Sequence, residues 1–120
     1  MMRIFLLLLA FSIFNLCSAQ NLGALLFSGN CITCHHPTKT ISAPSAAEVK
    51  KRYKEAFEDK EEFVSYMATW VKKPTPEGSL MHDAIKKYGV MPELGFDEET
   101  LRVISKYIYE NDFTKHETGY

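Results

Sequence analysis

The chain has little of what several protein classes require. It holds three cysteines and six glycines in 120 residues, and its net charge is −1. It therefore lacks the basic excess that nucleic acid or an anionic membrane surface attracts. No stretch alternates apolar and polar residues as a half-buried strand does, and no repeat or low-complexity tract occurs. These absences argue against nucleic-acid binding and a β-rich fold, and this length builds one small domain.

The N-terminal segment differs in character from the rest of the chain. Arg3 precedes an apolar run over residues 4–14 that only Ser12 interrupts, and small residues follow at Cys17-Ser18-Ala19. This pattern predicts a secretory signal peptide over residues 1–19, cleaved before Gln20, and a mature domain over residues 20–120 that is exported to an oxidising compartment.

Two alternatives to cleavage remain open. A retained membrane anchor would need about 20 apolar residues, more than the run supplies. A lipoprotein would carry its lipid on Cys17, although Leu16 stands just before it, where a small residue is usual. After cleavage we expect no stable membrane span.

The remaining cysteines lie in the run Cys31-Ile32-Thr33-Cys34-His35. The C-x-x-C-H spacing is typical of covalent haem attachment, in which two thiols add to the vinyl groups of one porphyrin and the adjacent imidazole ligates iron. A thioredoxin-like dithiol would need a preceding strand in a βαβ setting. A zinc site needs four ligands, and the other histidines lack H-x₃₋₅-H spacing. A structural disulfide is the fourth possibility, and these five residues alone do not decide.

Capping residues and apolar stripes predict an all-α fold of four to five helices. The first begins near Asn21, carries both cysteines on one face and stops near Pro37. The next is expected from Ser45 to about Phe57. Three more are predicted over residues 59–73, 75–89 and 97–109, with Thr75-Pro76 as the start of the fourth.

If the cysteine run attaches haem, a second iron ligand would come from a methionine or a histidine elsewhere in the chain. Met67 and Met81 lie on apolar helical stripes, where core packing explains them. Met91 follows a helix-ending glycine and precedes Pro92, so it is expected in an extended loop that reaches across a cavity; a merely packed loop methionine is the alternative. His36 points away from His35 around a helix, and it is interpreted as a surface residue or a neighbour of a haem propionate. Solvated side chains are the simplest interpretation of His82 and His116, with His82 kept as a minor ligand candidate.

At this point the sequence resembles the single-haem class I cytochromes c of bacterial periplasms. The resemblance covers nearly the whole mature chain. It is carried by Gly23 and Phe27 ahead of the C-x-x-C-H run, by Pro44 and Met91-Pro92 after it, and by the aromatic-bearing terminal helix over residues 101–109. His36-Pro37 departs from the family by replacing a glycine often found there.

The resemblance implies a small cytochrome c fold packed around one covalently bound haem c. Cys31 and Cys34 would form the thioether bonds, and His35 and Met91 would ligate the iron. The Pro44 carbonyl would accept the Nδ1 proton of His35. Trp70 is similar to aromatic residues that bond a haem propionate, with core packing as an equally good explanation. The first and last helices would cross closely where Gly23 meets Tyr107.

With both axial positions filled, the expected function is one-electron transfer rather than enzymatic catalysis. The expected partners are redox proteins, namely a membrane donor complex and a terminal oxidase or reductase, met by a monomer in transient complexes. Two alternatives stay open: a haem-bearing subunit of a larger periplasmic oxidoreductase, and a gas-binding sensor or peroxidase with an open iron position.

Overall fold

The structure is a computed structural model that describes residues 22–115. This part of the chain forms five helices and no strand, which confirms the predicted all-α class. The predicted signal peptide and His116 lie outside the described residues. The helices are α1 over residues 22–30, α2 (Ala46–Ala56), α3 (Lys60–Lys72), α4 (His82–Tyr88) and α5 (Glu98–Glu110), followed by a 3₁₀ turn (Phe113–Lys115).

Three of these helices begin at the capping residues that the sequence predicts. The side chains of Ser45, Asp59 and Asp97 each accept a hydrogen bond from the backbone N–H three residues further on. Each oxygen thereby satisfies one of the N–H groups that a helix start leaves without an internal partner. Local sequence chemistry is sufficient to set these three starts.

Among helices α2 to α5, α3 and α5 make the most extensive contact. Phe63 of α3 is fully buried, and its ring stands edge-on to the ring of Tyr109 of α5, with the centroids 5.0 Å apart. Burial of such aromatic side chains supplies the main driving force for a fold of this size. None of the helices within residues 22–115 is long and apolar enough to cross a membrane.

Helix α1 crosses α5 closely at Gly23, as the resemblance implies. A Cβ atom on Gly23 would lie 2.6 Å from the Cβ atom of Tyr107 and 3.2 Å from the carbonyl oxygen of Val103. One turn further along, the ring of Phe27 lies 5.6 Å from that of Tyr107 and 5.3 Å from that of Phe113. The crossing therefore fixes α1, and with it the cysteine run that follows, against the terminal helix.

The cysteine run lies in turns after α1, which corrects the prediction that the first helix extends to His35. The regular α-helical hydrogen bonds between residues four apart end at Cys31. The next N–H, that of Ile32, donates to the Phe27 carbonyl five residues back, at 3.3 Å. Gly29 and Asn30 are weak helix formers, and the Asn30 side chain donates to the Leu26 carbonyl at 2.8 Å. A separate turn follows, in which the His35 N–H donates to the Cys31 carbonyl at 2.8 Å.

Helix α4 begins at His82, so the prediction of a helix start at Thr75-Pro76 was wrong. Thr75 does cap a single turn, because its hydroxyl accepts from the Gly78 N–H at 3.2 Å. The carbonyl of Thr75, which a helix would pair with residue 79, instead accepts from Nε1 of Trp70 at 3.0 Å. This contact comes from the last turn of α3, and the capping pattern of Thr75-Pro76 does not show it.

Candidate functional site

One cleft brings together all six predicted site residues. It has a volume of about 250 Å³ and is partly open to solvent. Its walls include Cys31, Cys34, His35, Pro44, Trp70 and Met91. Within the described part of the chain, no Asp, Glu, Lys or Arg lines it. The cleft therefore suits a largely apolar group that is held by sulfur and imidazole rather than by charge.

The His35 imidazole is fixed by the loop that precedes α2. Its Nδ1 lies 2.7 Å from the carbonyl oxygen of Pro44. A carbonyl oxygen only accepts, so Nδ1 carries a proton, and the Nε2 atom is the one left to ligate a metal. This geometry is the usual support of a metal-ligating histidine, because the hydrogen bond sets the tautomer, orients the ring and raises its basicity.

Cys31 and Cys34 are free thiols on the wall of the same cleft. Cys34 is exposed, whereas Cys31 is half-buried. Burial, and secondarily the neighbouring Cys34, raises the pKa of the Cys31 thiol to about 11. Cys31 is therefore a protonated, weakly nucleophilic thiol at neutral pH, and Cys34 is the more accessible of the two sulfurs.

Met91 lies in the extended segment between α4 and α5, as predicted, and is half-buried at the cleft. Gly89, in the left-handed region at φ 84°, ends α4 by donating its N–H to the Ile85 carbonyl at 2.9 Å. The turn from helix to extended chain thus precedes Met91 by two residues. It brings a thioether to the cleft from a segment remote in sequence from His35.

Two further methionines reach the same cleft. Met67 of α3 and Met81 before α4 are 3 % and 6 % exposed, as expected of core residues, and both also line the cleft. The sequence analysis assigned them to packing alone. The predicted apolar stripes gave no signal of the cleft, and Met81 in fact lies just before α4 rather than on a helical stripe.

Trp70 lines the cleft with its indole N–H already engaged by the Thr75 carbonyl. The side chain is half-buried. The structure thus gives Trp70 a partner within the protein, and its visible role is to hold the 75–81 segment beside the cleft. A hydrogen bond from Trp70 to a haem propionate would have to share the indole N–H with the Thr75 carbonyl.

Neither His36 nor His82 lines the cleft. His82 is exposed at the start of α4. His36 is half-buried, and its Nδ1 accepts hydrogen bonds from the backbone N–H groups of Thr38 and Lys39. The sequence analysis missed this contact. The one local feature that points to this contact is the polar side chain of His36 directly before Pro37 and a turn.

Two of the alternative interpretations of the cysteine pair find no support here. No strand precedes Cys31 in the part that the structure describes, so the βαβ setting of a thioredoxin-like dithiol is missing. No group of three or more His, Cys, Asp or Glu side chains within residues 22–115 is arranged to hold a metal ion. A zinc site would need such a group.

Comparisons with known proteins find a partial similarity to an uncharacterized protein. No family model matches the chain, and no solved structure matches it. An uncharacterized protein of Aquifex aeolicus (strain VF5) is 32 % identical over 74 residues, which cover 59 % of this chain and 49 % of the relative. The chain thus spans about half the length of the curated relative it matches.

Proposed function

We propose that this chain is a single-haem c-type cytochrome of the class I type and carries one electron at a time in a bacterial periplasm. In this proposal residues 1–19 are the cleaved signal and residues 20–120 form the cytochrome domain. Its partners are a membrane donor complex and a terminal oxidase or reductase, which it meets in transient complexes.

The observation that carries the proposal is the donor set of the uncharged cleft. Two cysteine sulfurs and His35 follow α1 at one wall, and Met91 comes from the segment before α5. The Nδ1–Pro44 hydrogen bond leaves the Nε2 lone pair of His35 free to bind a metal. Two thiols, one imidazole and one thioether in an apolar cleft match the requirements of a covalently attached haem.

Each side chain has a definite task in this scheme. Cys31 and Cys34 hold the group covalently, and His35 and Met91 bind its iron. With both positions filled, haem supplies a one-electron couple and leaves no coordination site for a substrate. The Pro44 carbonyl holds the His35 ring in place, and the apolar walls exclude water and disfavour the extra positive charge of the oxidised state.

The attachment is tested by expression with its leader in a host that has haem-ligation machinery. We expect a coloured protein that keeps its haem after denaturation and has a mass above that of the polypeptide. Cys34→Ser should leave one vinyl group unreacted and move the α band to longer wavelength, because the conjugated system is larger. Cys17→Ser is the matched control and should give the same mature protein as the wild type. A colourless product with the bare polypeptide mass would refute the proposal.

The distal ligand is tested by three methionine variants. Met91→Ala should abolish the near-infrared sulfur-to-iron charge-transfer band of the oxidised protein, because that band requires a thioether on the iron. Met67→Leu and Met81→Leu keep the cleft apolar and should retain the band. If the band survives in Met91→Ala and disappears in Met81→Leu, the ligand assignment is wrong and Met81 is the ligand.

Two measurements separate the free carrier from the alternatives. The reduced protein should not bind carbon monoxide at neutral pH, because His35 and Met91 would both be bound to the iron; binding would indicate a gas sensor or peroxidase. Gel filtration of the native periplasmic protein should give the mass of one chain. Co-elution with a catalytic chain would instead identify a subunit of an oxidoreductase.

A further inference from the structure

The segment between the cysteine run and α2 is a closed loop that begins at His36. The N–H of Ala46 donates to the His36 carbonyl at 2.9 Å, and the N–H of Ala47 donates to the Pro37 carbonyl at 3.0 Å. These bonds join the two ends of residues 36–47, here called the proximal loop, and satisfy two N–H groups at the start of α2. The loop therefore has a fixed base.

The His36 side chain shapes the first turn of the proximal loop. Its Nδ1 lies 3.2 Å from the N atom of Thr38 and 3.0 Å from the N atom of Lys39. Backbone N–H groups only donate, so Nδ1 is the acceptor in both bonds and the ring proton resides on Nε2. The imidazole thus replaces a backbone carbonyl in closing the turn, as Asn and Asp side chains do in other loops.

The last part of the proximal loop carries the carbonyl that holds His35. Pro44 is buried, and its oxygen lies 2.7 Å from Nδ1 of His35. Thr40, in mid-loop, accepts from the Ser45 N–H at 3.4 Å. The first turn, the loop base and the Pro44 carbonyl therefore form one connected hydrogen-bonded unit.

We propose that His36 is a positioning residue of the proximal side, which acts through this loop to hold the Pro44 carbonyl against His35. The inference rests on the proposed function, because its effect is on His35 as an iron ligand. A weaker bond at Nδ1 lowers the basicity of the imidazole, so less electron density is donated to the iron. Loss of the His36 acceptor therefore raises the reduction potential.

The test compares two substitutions in the haem-bearing protein. His36→Leu keeps a side chain of comparable bulk and removes the acceptor, so the potential should become more positive and the His35 Nδ1 proton should exchange faster with solvent. His36→Asn places an oxygen at the position of Nδ1, and it should restore the potential and slow exchange. His82→Leu, at an exposed site outside the cleft, is the matched control and should leave both readouts unchanged.

A measurement on the unsubstituted protein covers the case in which His36→Leu fails to fold. Nitrogen NMR shifts of the His36 ring at neutral pH should identify Nε2 as the protonated atom. A proton on Nδ1 would overturn the proposal.

Failure of this inference is distinguishable from failure of the proposed function. If the wild type carries no covalent haem, the proposed function fails. If haem is present but His36→Leu keeps the wild-type potential and exchange rate, the role of His36 is refuted. Equal shifts in His36→Leu and His36→Asn would also refute it, because they would show that the acceptor atom is not what matters.

Discussion

Arg52 of α2 and Asp83 of α4 form the ion pair that joins these two helices, with Nη2 of Arg52 2.6 Å from Oδ1 of Asp83. No Cα atom of α4 lies close to one of α2, α3 or α5, so within the described residues α4 is not packed against these helices. The segment that leads to Met91 is held by side chains, including this pair and the hydroxyl of Tyr66 on the Gly78 carbonyl at 2.9 Å.

In the proposed cytochrome, removal of this ion pair should weaken the bond between Met91 and the iron. Arg52→Gln and Asp83→Asn should each lower, by roughly two- to fivefold, the imidazole concentration that displaces the thioether in the oxidised protein. The double variant should resemble either single one, because both remove the same contact. The pair Lys72–Glu98, which links the packed helices α3 and α5 at 3.7 Å, is the control and should have no effect. Additive effects of the two substitutions would contradict this role.

The same pair predicts a pH dependence of stability. The hydrogen bond from Arg52 holds the pKa of Asp83 below its ordinary value of 3.8. A lowered folded-state pKa gives stability that is present above pH 3.8 and is lost as the pH falls through the folded value. Urea midpoints of the wild type and of Asp83→Asn should therefore differ at about pH 7, and the difference should shrink as the pH falls below 3.8. A gap that widens on acidification would show that Asp83 does not contribute in this way.

The close crossing at Gly23 predicts a steric effect that a neighbouring glycine does not share. Gly23→Ala would place its Cβ 2.6 Å from that of Tyr107, and it should cost about 1–3 kcal/mol of unfolding free energy. At Gly29 a Cβ meets no atom within 4 Å. Gly29→Ala should therefore stabilise α1 by up to ~1 kcal/mol. Urea unfolding of both variants measures the difference, and equal stabilities would disprove the crossing.

Some features could be predicted from the sequence because neighbouring residues decide them. The caps at Ser45, Asp59 and Asp97 bond the N–H three residues on, so the starts of α2, α3 and α5 follow from local spacing. The extended segment at Met91 follows likewise from Gly89 before it and Pro92 after it.

Other features depend on competition for backbone carbonyls and on packing between helices, which the capping and spacing patterns do not show. The late start of α4 arises because Trp70 takes the Thr75 carbonyl, and the cysteine run leaves α1 where Asn30 competes for a helix carbonyl. Met67 and Met81 face the cleft as well as the core because the walls come from several helices.

The sequence by itself determined an all-α chain with a C-x-x-C-H run and a methionine in a downstream loop, because helix caps and residue spacing act over a few positions. The tertiary structure alone decided that these residues share one uncharged cleft and that the N–H groups at the start of α2 close the proximal loop on the His36 and Pro37 carbonyls. Such contacts depend on the folded path of the backbone, which brings together atoms that are not neighbours in the chain.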